Sequence, residues 1–159
     1  MSIRFAEIAD IERVLILEEQ AFRIHLDKRP DLIDMTKRLF DYNSLRERIE
    51  SDSGKIFLFV DEDNKIIGYC ITEFKELNNH QILKNMRILE VVDLCIDEKF
   101  RRKGIGKMLF EEVSKYGKEK SVKFIELDVW NFNKNAQLFY EDVGMKVKTI
   151  RMELDIEEI

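Results

Sequence analysis

The feature that most constrains this chain is Arg101-Arg102-Lys103-Gly104-Ile105-Gly106, a basic turn set between the apolar run Val91 to Ile96 and the periodic stretch Ile105 to Tyr116. An apolar run, a glycine turn and then Ile105, Met108, Leu109, Val113 and Tyr116 on one face predict a strand leading into an amphipathic helix. Such a helix opens with backbone N–H groups that have no intrahelical acceptor, and its macrodipole places positive charge behind them. Gly104 and Gly106 carry no Cβ, so a ligand can approach the backbone closely. Arg101, Arg102, Lys103 and Lys107 add the charge that a polyphosphate prefers.

Two nucleotide motifs can be tested against this turn. A Walker A loop needs four residues between its glycines and Lys-Ser/Thr after them, and Gly104-Ile105-Gly106-Lys107-Met108 has neither. The dinucleotide fingerprint fails at Leu109, where a third glycine is required. Neither ATP nor NAD is therefore the expected ligand.

The chain around the turn reads as one folded unit. Its 159 residues, 45% hydrophobic with a single proline, suffice for one core, and a single domain over 1–159 is expected. A net charge of −5 gives no general attraction for nucleic acid or an anionic membrane. Met1 to Phe5 begins with strand-like alternation rather than a signal peptide, and no apolar run approaches a membrane span, so a cytoplasmic location is expected. Cys70 and Cys95 sit in apolar strand-like runs and read as buried, reduced thiols, with no metal-ligand spacing to another Cys or His.

Taken in order, Ser2 to Phe5 predicts a short strand, and Asp10 caps a helix running to about Ile24. His25 to Asp31 interrupts, Leu32 to Tyr42 predicts a second helix, and Ser44 to Glu47 reads as a capping box for a third. Ile56 to Val60 and Ile66 to Phe74 form a hairpin about Asp61 to Lys65, with Gly68 at a bulge, and Glu76 to Asn85 reads as loop. Met86 to Asp97 is the long strand before the turn, the helix after it ends near Gly117, and Phe124 to Trp130 completes a right-handed parallel βαβ unit. A short helix over Asn133 to Val143 and an alternating stretch over Met145 to Ile156, read as one bent strand or two short ones, close the sheet.

The R-x-x-G-x-G of Arg101, Gly104 and Gly106, between a strand and an amphipathic helix, resembles motif A of the GNAT superfamily of acyl-CoA-dependent N-acyltransferases. Asn133, Ala136, Phe139, Tyr140 and Gly144 are similar to that family's second pattern, with Met145 where phenylalanine is more usual. The resemblance covers nearly the whole chain. It implies an α/β GNAT fold, a mixed six- to seven-stranded sheet flanked by helices, and transfer of an acetyl group from acetyl-CoA to a primary amine by direct attack in a ternary complex. It also implies an amine-bearing small molecule or a protein amine as acceptor, without metal, nucleic acid or membrane. The rival reading is a catalytically silent acyl-CoA sensor, and Met145 to Ile156 is the expected edge of a homodimer.

Residue by residue, the resemblance places the CoA pyrophosphate on Arg101, Arg102, Lys103, Gly104, Ile105, Gly106 and Lys107, and the pantetheine arm beside Leu94, Cys95 and Ile96, whose backbone also receives the thioester carbonyl. Tyr140 would protonate the departing thiolate, whereas the pattern alone equally suits a core aromatic four residues after Ala136. Asn133 would bond the cofactor, cap its helix, or do both. An amine is protonated near neutral pH, so a base is needed. Glu90 holds the place of the glutamate in histone-type members, Asp128 that of ribosomal-protein N-terminal acetyltransferases, and Asp93 is a third candidate. Each equally suits an ion-paired surface carboxylate.

Overall fold

The computed structural model describes residues 1–156. The strands are β1 (Ser2–Phe5), β2 (Ile56–Val60), β3 (Ile66–Leu77), β4 (Met86–Ile96) and β5 (Phe124–Glu126). The helices are α1 (Ile11–Lys28), α2 (Tyr42–Glu50), α3 (Ile105–Glu119) and α4 (Lys134–Asp142). The strands form one sheet in the order β1-β2-β3-β4-β5, antiparallel throughout except for the parallel β4/β5 pair. The β4-α3-β5 segment is the βαβ unit that the sequence predicts. The chain divides into two compact units, Met1–Asp128, which holds the whole sheet, and a smaller one from Val129 onward that holds α4.

Both faces of the sheet are covered within the first unit, which explains why β2 is apolar at every position and buried along its length. On one face Ile11, Val14 and Leu17 of α1 and Leu45 of α2 pack on Leu58, Tyr69, Ile71 and Cys95. On the other lie Leu109 and Val113 of α3, both fully buried. Beside them Tyr116 meets Phe5, Phe57 and Phe74 at ring-centroid distances of 5.4 to 5.9 Å.

Two bulges set which residues face which layer. Phe59 pairs with Gly68 but Val60 with Ile66, so Ile67 is the extra residue, next to the expected glycine. A Cβ on Gly68 would lie 2.5 Å from Ile96 Cδ1, which would have to swing aside, and 3.2 Å from the Cys95 carbonyl oxygen, a tight fit. In β4, Ile71 pairs with Asp93 but Thr72 with Val91, which leaves Val92 extra. Val91 lies on the α3 side, and strict alternation would return Asp93 to it. The bulge instead sends Asp93 to the α1 side, where Val92 also packs.

Several expectations are corrected. The sheet has five strands rather than six or seven, because no strand forms between Met145 and Ile156 among the described residues. The apolar residues of that stretch, Val147, Ile150, Met152, Leu154 and Ile156, are all more than 70% exposed, so the alternation there has no buried face to serve. Leu32 to Tyr42 is no helix: the Asp34 carboxylate accepts from the Thr36 N–H and hydroxyl, a local turn that competes with helix, and α2 starts only at Tyr42. Its cap is Asp41, whose carboxylate accepts the Ser44 N–H at 2.8 Å while the Ser44 hydroxyl accepts the Asp41 N–H, so the box opens three residues earlier than expected. Phe124 to Trp130 shortens to Phe124–Glu126, whose pairing with β4 ends at Glu90, two residues before the bulge at Val92.

Candidate active site

The turn after β4 is held from beneath. The Asp97 N–H donates to the Ile67 carbonyl at 2.9 Å, and its carboxylate accepts from the Lys99 N–H at 3.2 Å and from Arg13 of α1 at 2.6 Å. Arg13 also donates to the Ile66 carbonyl, tying α1, the hairpin and the turn at one point. Burial alone would raise the Asp97 carboxyl; the Arg13 guanidinium and the Lys99 amide outweigh it and hold the group below its ordinary value. Arg102 and Gly104 then take the left-handed conformation, at φ 63° and 79°. Gly104 is the N-cap of α3, with no side-chain cap bonded to the first amides among the described residues. Arg101, Arg102, Lys103 and Lys107 are all exposed around it. The geometry is that of an anion-binding helix start.

The edge of β4 that leads into the turn is open. Parallel pairing with β5 stops at Glu90 and Glu126, and beyond it the outer edge of β4 meets no strand among the described residues. Because Asp97 bonds Ile67 and the antiparallel ladder alternates, Leu94 and Ile96 direct their backbone groups outward, away from β3. Side chains occupy two of these groups. Asp93 Oδ1 accepts the Leu94 N–H at 3.0 Å, and Arg101 Nε donates to the Ile96 carbonyl at 3.0 Å.

Beside this edge lies a polar cluster on the α1 face of the sheet. The Tyr69 hydroxyl, on a fully buried residue of β3, donates a short hydrogen bond to Asp93 Oδ2. Glu18 of α1 is 2% exposed, and burial raises its carboxyl above the ordinary range, with the Leu39 backbone opposing and the Asp93 charge adding to it. Burial likewise raises Asp93, against the Tyr69 hydroxyl, the Leu94 amide and His25, which all favour its charge. Burial lowers His25, and Asp93 partly restores it. Tyr69 is driven well above its usual range by burial and by Asp93.

The expected bases fall at different places. Glu90 lies on the α1 side of β4 but is held by Lys75 at 2.5 Å. Asp128 is exposed two residues past β5, on irregular chain rather than on the expected strand. Asp93 alone of the three sits inside the polar cluster. His25, expected in a polar loop, belongs to α1 and to that cluster, whereas His80 is in a loop, its Nδ1 accepting from the Ile82 and Leu83 amides. Tyr69 and Glu18 escape sequence reasoning, because a Tyr in an apolar strand and a Glu in a helix look ordinary. The one signal is the doublet Val91-Val92, which breaks alternation just before Asp93. Cys95 faces α1, its thiol directed at the Leu17 carbonyl at 3.3 Å, and burial pushes it up to about 12, as suits an inert thiol rather than an acyl carrier.

In the second unit Asn133 is the N-cap of α4, its side-chain oxygen accepting the Ala136 N–H at 3.2 Å, so the capping role is present. Tyr140 is half-buried on α4 with its ring 5.0 Å from that of Phe139. No cluster of His, Cys, Asp and Glu placed to hold a metal, and no helix long and apolar enough to cross a membrane, occurs among the described residues.

The sequence profile of the Acetyltransferase (GNAT) family matches residues 14–145, from α1 through the end of the α4 segment. The chain belongs to the GNAT family of acetyltransferases. An uncharacterised N-acetyltransferase of Lactobacillus delbrueckii subsp. lactis is 32% identical over 92 residues, 58% of this chain and 52% of that protein. The chain thus spans about half the length of that relative. A crystal structure of a mutant of the BH1408 protein from Bacillus halodurans superposes with a TM-score of 0.94 at 31% identity, over 98% of this chain and 99% of that one. The GNAT fold extends to more distant structures. The aminoglycoside N-acetyltransferase AAC(6')-Iy, in complex with CoA, has a TM-score of 0.67 at 14% identity over 97% of this chain and 98% of that one.

Proposed function

We propose that the protein is an acetyl-CoA-dependent N-acetyltransferase that passes the acetyl group to a primary amine by direct attack in a ternary complex. The observation that carries this reading is the open edge of β4, running straight into the glycine turn. There the Leu94 N–H and the Ile96 carbonyl, which an added strand would take, are bonded among the described residues only by side chains. A pantetheine arm has the amides to take them, as an extended peptide adds to a sheet edge. Its pyrophosphate then falls to the turn from Arg101 to Lys107 and the first amides of α3. The CoA complex of AAC(6')-Iy, which shares the fold, supports the choice of ligand.

The chemistry takes two protons off the acceptor ammonium, places one on the leaving group and releases the other. A carboxylate takes the proton of the ammonium, the amine nitrogen attacks the thioester carbon, and the C–S bond breaks from the tetrahedral intermediate. Tyr140 then protonates the thiolate, and Asn133 bonds the cofactor besides capping α4. Glu90 and Asp128 remain expected bases on resemblance. A backbone N–H facing the carbonyl oxygen stabilises the oxyanion by about 3 kcal/mol. The acceptor is an amine-bearing small molecule or a protein amine, the setting is cytoplasmic, and Met145 to Ile156 offers apolar surface for a homodimer.

The test is thiol release from acetyl-CoA with a panel comprising a polyamine, an aminoglycoside and a lysine peptide. Tyr140→Phe should slow release by roughly 10²-fold, within the range of acid–base contributions, while leaving CoA affinity nearly unchanged. Turnover at the parent rate would remove Tyr140 as the acid. CoA binding without release from any amine would favour the sensor reading instead.

A further inference from the structure

The Leu94 amide has two claimants. The register of β4 turns it outward to the edge where an added strand would bond it, yet in the free protein its hydrogen goes to Asp93 Oδ1 at 3.0 Å. We propose that Asp93 accepts the proton of the incoming ammonium group, and that the acyl donor arms it by drawing away the Leu94 N–H that Asp93 otherwise holds. The inference rests on the acyltransferase reading above.

The surroundings of Asp93 give this exchange its direction. Facing it are Glu18 and His25 of α1, Tyr69 of β3 and Cys95 of β4 itself, while Cys70 of β3, on the other face, feels its charge. Burial disfavours its ionised form, while the Tyr69 hydroxyl, the Leu94 amide and His25 favour it, and its charge in turn raises the Glu18 carboxyl. Removing the amide from the second group tips the balance toward uptake of a proton. The carboxylate is therefore more basic when a thioester is in place than when none is. The bulge at Val92 makes the device possible: it puts Asp93 on the polar face while the very next amide serves the edge.

The step balances without any further reactant. One proton passes from R–NH3+ to the Asp93 carboxylate, the freed nitrogen pair forms the C–N bond, and the nitrogen's second proton leaves to solvent from the tetrahedral intermediate. The C–S bond breaks with its electrons on sulfur, Tyr140 protonates that sulfur and is reprotonated from solvent, and Asp93 returns its proton to solvent once the donor leaves.

Calorimetric titration of CoA in buffers of different ionisation enthalpy, run at the pH of the acidic limb of kcat/KM, should show net proton uptake on binding, and Asp93→Asn should bind CoA with that uptake reduced; above that limb Asp93 stays ionised in the complex and serves as the base. Any uptake that survives belongs to the ligand's own phosphate. Equal uptake in both proteins overturns the proposal. The same variant should lose roughly 10²-fold or more in kcat/KM. Tyr69→Phe, which keeps the carboxylate, serves should Asp93→Asn fail to fold. Losing the hydroxyl donor should move the acidic limb of kcat/KM to higher pH, whereas a uniform fall at every pH would mark Tyr69 as merely structural and overturn the proposal. Failure to bind CoA at all would instead remove the acyltransferase reading on which this rests.

Discussion

The two faces of β4 are made by the same eleven residues and have little else in common. Toward α3 the strand presents Leu89 and Val91 to a layer of Leu109, Val113 and Tyr116, with both leucines and Val113 entirely out of contact with water. Toward α1 it presents Glu90, Asp93 and Cys95 to Lys75, Tyr69, Glu18 and His25. The difference teaches a division of roles within one element. The apolar face supplies burial, which scales with area and needs no particular geometry. The polar face is costly to bury and is retained where directed bonds and proton exchange are required.

That division can be broken first by truncating the apolar face. Leu89→Ala should cost about 2–5 kcal/mol, read as a lower urea midpoint, while kcat/KM of the folded fraction changes by less than about twofold. A large activity loss at unchanged stability would contradict it. A second test places one substitution on each face. No hydrogen-bond partner for the Cys70 thiol occurs among the described residues, so Cys70→Ser buries an unpaired hydroxyl at a cost of about 1–3 kcal/mol. Cys95→Ser finds the Leu17 carbonyl already in place and should cost less than about 1 kcal/mol. Comparable losses would mean that the faces differ less than their contacts suggest.

The smallest effect concerns Glu18. Its folded carboxyl is raised, so protonation favours the fold, and the stability this contributes is full below the unfolded value of about 4.3 and lost as pH rises through the folded one. Glu18→Gln should therefore melt higher than the parent at about pH 8, with the gap closing toward about pH 4. A gap independent of pH would show that the Glu18 charge carries no strain.

Much of the first unit was legible in the sequence, because the signals were local. The glycine turn, the hairpin about Asp61 to Lys65 and the helix from Ile105 each follow from residues within a few positions of one another. What was hidden depends on pairing. The bulge at Val92 is a property of two strands: the Val91-Val92 doublet hints at a break in alternation, but only the pairing with β3 shows that Asp93 and Val92 share a face. Leu32 to Tyr42 carries helical spacing, yet the turn at Asp34 and the cap at Asp41 are bonds of greater local weight than that spacing. Asp93 could be named as a candidate from its position, whereas Tyr69 and Glu18, brought to it from other elements, could not.

The two side chains on the outer edge of β4 bear on more than chemistry. A strand rim with free amides and carbonyls is a template on which another copy of the chain can stack, the start of aggregation. Here the Leu94 amide is covered by Asp93 and the Ile96 carbonyl by Arg101, one acidic and one basic group at adjoining rungs. The two groups shield their own strand, so an edge proposed to dock an acyl donor need not be left open to another copy of the chain.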